Sequence, residues 1–193
     1  MDPQSLLALA LFTVVATITP GGATTMVAAS GAHFGLRRSL PLVGGIVIGM
    51  ASMAAAAAAG LAAALMALPA LQWLMKVAGT LYLLWLAWKI ARAGAPRQTA
   101  STAAPATFLG GLWMLWHNPK GWAMTMGAAA SFGAASGPPL LAVAFGMAAT
   151  VSLLLWCLAG QVLARVVRGE RQWRVVNGAL ALLLATSIAP MWF

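Results

Sequence analysis

The chain has 193 residues, of which 62% are hydrophobic and 7% charged, and its mean hydropathy is +0.91. That composition excludes an ordinary soluble domain and points to an integral membrane protein, with the lipid bilayer as a partner. A net charge of +9 would suggest nucleic acid in a soluble chain, but no nucleic-acid partner is expected here, because the basic residues fall between apolar runs rather than along one face.

Each charge-free run of roughly 18 residues or more supplies one helical crossing of a hydrocarbon core about 30 Å thick. In chain order the six predicted spans are 5–34, 40–67, 70–91, 107–134, 138–164 and 173–193. The chain opens MDPQS and has no Lys or Arg before Arg37, so a cleavable signal peptide is not expected. The first span carries ITPGG, Ile18 to Gly22, near its middle. A proline and two glycines there free backbone groups that hydrocarbon cannot satisfy, so this stretch must face protein or a polar cavity. In the second span Gly45, Gly49 and the run Ala54 to Ala59 are small residues of the kind that let helices pack closely in lipid. No charge occurs from Ser39 to Met75, too far for one crossing, so the chain turns at ALPALQ around Pro69. Lys76 lies about six residues into the third span and reads as a snorkelling side chain.

The stretch 93–107, AGAPRQTASTAAPAT, reads as a cytoplasmic tether that divides the chain into a first three-helix unit, 1–92, and a second, 108–193. The fourth span contains HNPKG, His117 to Gly121, and the fifth contains Cys157, a lone cysteine suited to core packing rather than a disulfide. Basic residues fall in three tethers: Arg37 and Arg38; Lys89, Arg92 and Arg97; and Arg165, Arg168, Arg171 and Arg174. The positive-inside rule makes these cytoplasmic and puts both termini, with the loops near Pro69 and Gly137, on the outside. Trp73, Trp88, Trp173 and Trp192 sit near span ends, where an interfacial aromatic belt belongs.

The two halves match each other in order at a near-constant offset of 97–99 residues. ITPGG pairs with HNPKG, HFG at His33 with SFG at Ser131, GMAS at Gly49 with GMAA at Gly146, and VAGTLYLL at Val77 with VNGALALL at Val176. Three spans per half is an odd number, so the second half enters the membrane from the opposite side. The expected fold is an all-α integral membrane protein with six transmembrane helices in a 3+3 inverted-topology repeat, its first and fourth helices broken.

The breaks define the candidate site. Thr19-Pro20 and Asn118-Pro119 each read as an N-cap followed by proline at the first helical position, so each break restarts a helix. Two helix N-termini then converge near mid-membrane from opposite sides, and their amides and dipole ends favour an anion. The predicted substrate-binding residues are Thr19, Pro20, Gly21 and Gly22 from one half, and Trp116, His117, Asn118, Pro119, Lys120, Gly121 and Trp122 from the other. Lys120 is a cation at the wrong end of a helix dipole and costs about 2.5–3.5 kcal/mol at this depth. The acidic residues, Asp2 and Glu170, both lie outside the spans. A bound carboxylate would satisfy Lys120; alternatively it pairs with carbonyls freed at the first break. Trp116 and Trp122 supply apolar walls, and His117 is either a packed hydrogen-bonder or a proton carrier.

ITPGG, VAGTLYLLWLAWK (Val77 to Lys89) and HNPKGWAM (His117 to Met124) resemble the signatures of the lysine exporter (LysE/RhtB) family of bacterial amino-acid efflux transporters. The resemblance covers nearly the whole chain. Gly22 stands where that family usually has a second proline, and Ala23 where it often has asparagine. The resemblance implies proton-driven export of amino acids or close relatives across the bacterial cytoplasmic (inner) membrane, by a chain whose two termini are then periplasmic. With no acidic residue in any span, the cargo expected is a small neutral amino acid or related carboxylate rather than lysine or arginine. A homo-oligomer is compatible with this reading. No carboxylate pair, metal cluster or second cysteine is present in the spans, so neither an enzyme nor a cofactor or metal site is expected. A scaffold or regulator of the same fold without transport activity is the alternative.

Overall fold

The computed structural model describes residues 1–61, 67–92, 107–167, 169–186 and 188; residues 93–106 of the expected tether, Arg168 and Trp192 lie outside these. Asp2 starts the first helix: its carboxylate accepts from the Ser5 amide at 2.9 Å and the Ser5 hydroxyl at 2.7 Å, which holds its pKa down to about 2. The described residues form six α-helices and no strand: α1 Pro3–Ile18, α2 Gly22–Ala56 with a π-turn at Ala57–Leu61, α3 Pro69–Arg92, α4 Phe108–Trp116, α5 Pro119–Val166 and α6 Glu170–Thr186.

These helices are not one per predicted span. The stretches Gly22–Gly60 and Pro119–Val166 are both long and apolar enough to cross a membrane. The 48 residues of α5, however, would run to about 72 Å if straight, more than twice a hydrocarbon core. Each long helix is folded at a glycine: Gly35 has φ 74° and ψ 172°, Gly137 φ 68° and ψ 170°, a conformation that side chains other than glycine's essentially never adopt. At Gly35 the chain doubles back. The hydroxyls of Ser30 and Ser39 meet at 2.8 Å, whereas in a straight helix these residues would lie about 13 Å apart along the axis. The Ser39 hydroxyl also donates to the Gly35 carbonyl at 2.9 Å, closing the turn.

The expected pairing of HFG with SFG does not describe these folds. Gly133 lies inside the helix, and the counterpart of Gly35 in backbone conformation is Gly137, followed by Pro138 and Pro139. The stretch from the proline to the fold is therefore three residues longer in the second half, a difference that a nearly gapless alignment conceals. The last helix also starts earlier than expected, at Glu170, which places Arg171 and Arg174 on its first turns.

Contacts fix the relative directions. Along α5 beyond Gly137, Phe12 meets Phe145, the Thr17 carbonyl meets Ser152, Thr24 lines a cavity with Leu153 and His33 lines another with Leu163, so both indices rise together. Thus α1 and the first segment of α2 run in the same direction, parallel to the second segment of α5. Likewise Gly111 meets Leu42, Leu115 meets Gly49, Trp116 meets Ser52 and Gly121 meets Met53, so α4 and the start of α5 run parallel to the second segment of α2.

Glycine makes these crossings close. A Cβ on Gly45 would lie 1.9 Å from the Phe108 carbonyl oxygen, and one on Gly49 would touch Leu115 at 3.0 Å, so the small residues of the second span do seat a neighbouring helix. Gly31 and Gly160 form a reciprocal pair, the first against the Cys157 backbone and the second against the Ala28 backbone. Around these crossings Val27, Leu42, Ile46, Met53, Leu115 and Phe145 form the core. Leu7, Leu11 and Val15 of α1 and Val143, Met147 and Val151 of α5 remain exposed, an apolar exterior that water would not tolerate and lipid does.

The remaining pair, α3 and α6, pack on each other and lightly on the rest. A cavity of about 100 Å³ touched by His33, Ile90, Leu163 and Trp173 joins the end of the first α2 segment, the end of α3, the end of α5 and the start of α6. The exposed Arg37, Arg38, Arg92, Arg165, Arg171 and Arg174 therefore gather at one end of the molecule. Of the tryptophans expected in the interfacial belt, Trp73 and Trp88 are exposed, the latter under the Arg92 guanidinium at 4.7 Å. Trp173 is instead buried, its indole donating to the Val167 carbonyl at 2.9 Å.

Candidate functional site

The interruption between α1 and α2 is built from backbone groups that proline and glycine release. Pro20 has no amide hydrogen, and Gly21 is extended, so the carbonyls of the last turn of α1 lose their helical partners. Side chains from the other half of the chain replace them. Ser152 donates to the Thr17 carbonyl at 2.8 Å, Trp156 to the Ile18 carbonyl at 3.0 Å, and the Lys120 ammonium to the carbonyls of Thr19 and Pro20 at 2.6 Å and 3.0 Å. Four consecutive carbonyls are thereby satisfied, three side chains doing what water cannot do in hydrocarbon.

Thr19 is not the N-cap of the following helix. Its amide and hydroxyl both donate to the Val15 carbonyl, so it closes α1, and α2 starts from Gly21, whose amide donates to the Thr24 hydroxyl at 2.8 Å. Proline followed by two glycines leaves Thr19 on the preceding helix, and the cap is supplied from inside the new one. At the second interruption the sequence expectation holds: Asn118 is the N-cap, its side chain accepting from the Lys120 amide at 3.0 Å, and Pro119 is the first helical residue.

A small cavity lies between the two interruptions. Thr19, Gly21 and Gly22 line it from one side, Asn118 and Lys120 from the other, and its volume is about 30 Å³, room for about two waters. Its apolar wall comes from Ile46, Met50, Leu115, Met124 and Leu153. The two tryptophans expected there stand elsewhere. Trp116 and Trp122 meet edge to face at 5.4 Å, the Trp122 indole donating to the Trp116 carbonyl and the Trp116 indole to Ser52. They brace the second interruption. His117 is exposed and turned away, its ring 4.0 Å from that of Trp113 and its Nδ1 2.9 Å from the Trp113 carbonyl. Pro119 and Gly121 are buried, and a Cβ on Gly121 would crowd the Met53 sulfur at 3.2 Å.

Ser152 and Trp156 are the residues the sequence reading missed. Their signal was present: two hydrogen-bond donors spaced one helical turn apart in an otherwise apolar span share a face and must find acceptors. Only the crossing with α1 reveals which acceptors. Among the described residues no cluster of His, Cys, Asp or Glu has the makings of a metal site.

A helical, apolar-surfaced chain with polar backbone at a shared internal cavity is the architecture of a membrane translocator. The model of the LysE type translocator family matches residues 14–187, and the chain belongs to that family. It is accordingly a multi-pass membrane protein. No curated protein and no solved structure matches the chain.

Proposed function

We propose that this protein is a secondary transporter that exports small neutral amino acids or related carboxylates across the bacterial cytoplasmic membrane, and that the cavity between the two interruptions is its substrate site. The observation that carries the reading is Lys120, a cation from one half held on the backbone of the other, beside a cavity lined by both. A carboxylate has there an ammonium, the positive dipole ends of two helices and no competing acid.

The matching contacts of the two halves support an arrangement as two three-helix units in inverted topology, with the first and fourth spanning helices each broken. The chain reverses at Gly35, α4 runs parallel to the segment after that reversal, and α4 therefore runs opposite to α1. The gathering of the basic ends supports a cytoplasmic face there, hence periplasmic termini. Reporter fusions at Phe193 test this: alkaline phosphatase is expected to be active and a cytoplasmic reporter dark, and the reverse pattern overturns the orientation.

The cavity is far smaller than an amino acid; a cavity that holds benzene runs to about 150 Å³. Loading therefore requires movement around the interruptions, as alternating access does. Proton coupling is part of the proposal, although His117 stands outside the cavity. Counterflow in proteoliposomes across a panel of labelled amino acids is expected to give leucine, threonine or homoserine exchange well above lysine or arginine. Absence of exchange for the whole panel would favour the scaffold or regulatory reading.

A further inference from the structure

Lys120 occupies the space a substrate would need. Its stem lies across Gly21, where a Cβ would sit 2.9 Å from the lysine Cδ and 3.1 Å from its Nζ, so that glycine alone leaves it room. Its ammonium holds the Thr19 and Pro20 carbonyls, and what remains of the cavity, about 30 Å³, has room for about two waters. Nothing as large as an amino acid adds to this arrangement; something must leave. The carbonyls are on backbone whose preceding residues are pinned, Thr17 by Ser152 and Ile18 by Trp156. The flexible occupant is the lysine.

Resting on the transport reading above, we infer that substrate binds by exchange: a zwitterion inserts between Lys120 and the carbonyls of Thr19 and Pro20. Its carboxylate takes the ammonium of Lys120, and its own ammonium replaces that lysine on the two carbonyls. No bond forms or breaks covalently, the formal charge of the site is unchanged, and every donor and acceptor keeps a partner. A carboxylate without an amine draws Lys120 away and leaves two carbonyls without a donor inside the helix bundle. An amine without a carboxylate brings a second cation beside the first. Only a molecule with both groups a short distance apart completes the exchange, so selection for α-amino acids follows from the geometry of displacement. The same contact latches the two interruptions together until a substrate separates them.

The experiment is a solid-state NMR distance measurement on purified, membrane-reconstituted protein labelled with ¹⁵N at lysine Nζ and ¹³C at the proline carbonyls, with Lys120→Met as the assignment control. A dipolar coupling between Lys120 and Pro20 is expected in the free protein and is expected to vanish on saturation with leucine or threonine. In parallel, leucine is expected to bind at least roughly tenfold more tightly than 4-methylpentanoate or 3-methylbutylamine, which lack its amine and its carboxylate respectively. An amino acid that binds while the coupling persists overturns the exchange and leaves the transport reading standing, as does equal binding of leucine and 4-methylpentanoate. If no amino acid of a full panel binds, the transport reading falls and the exchange with it.

Discussion

Replacement of Lys120 by methionine is expected to abolish transport while the protein still folds. Two effects on stability oppose each other. Removing a cation from mid-membrane relieves about 2.5–3.5 kcal/mol, and stripping the donor from the Thr19 and Pro20 carbonyls costs about 1–3 kcal/mol for each carbonyl that finds no other partner. The balance is near zero. For transport nothing offsets the loss, because the charge that faces a carboxylate is gone; truncating one member of a buried charge pair costs about 2–5 kcal/mol, on the order of thirtyfold in affinity or more. Lys120→Gln separates the two roles, since its amide still donates to the carbonyls but carries no charge. It should melt above the parent, because the buried cation is removed and the donor kept, and transport like the methionine variant, in counterflow assays paired with thermal unfolding in detergent. Normal export by either variant would remove Lys120 from the substrate site.

The second large effect is expected at the reciprocal glycine crossing. A Cβ on Gly160 would lie 2.0 Å from the Ala28 carbonyl oxygen, and one on Gly31 2.1 Å from that of Cys157. Both obstacles are backbone, so a methyl group is accommodated only by moving the helices apart, and overpacking of this kind costs about 1–3 kcal/mol. Gly160→Ala should lower the unfolding temperature measurably and Gly31→Ala/Gly160→Ala further still. Gly146→Ala is the control, because its Cβ would meet Ala51 at an ordinary 3.5 Å. Transport should fall with stability in the crossing variants, since the same helix carries Ser152 and Trp156 to the carbonyls of α1. Unchanged melting of Gly160→Ala would mean that the two helices do not approach as described.

Membrane class, helical character and the two interruptions were legible in the amino-acid sequence, because each is a local property. Hydrocarbon demands long charge-free runs, and proline with glycine breaks a helix wherever it stands. The family was legible for the same reason, its signatures being contiguous: ITPGG and HNPKGWAM are read without knowing what touches them. At the second break even the cap was readable, since Asn118 and Pro119 act on their own backbone.

Tertiary structure decided the rest. Whether Lys120 meets the other half, and at which atoms, depends on two segments about a hundred residues apart in the chain, and so does the choice of Ser152 and Trp156 as partners for Thr17 and Ile18. The loop near Gly137 was legible from the limits of the charge-free runs, but that Gly137 rather than Gly133 is the counterpart of Gly35 was not, because only backbone conformation distinguishes the glycines of that stretch. His117, Trp116 and Trp122 were assigned to the cavity by adjacency in sequence, but successive residues of a helix point about 100° apart. Sequence proximity to a break says that backbone groups are freed; the packing of the opposite half determines which side chains reach them.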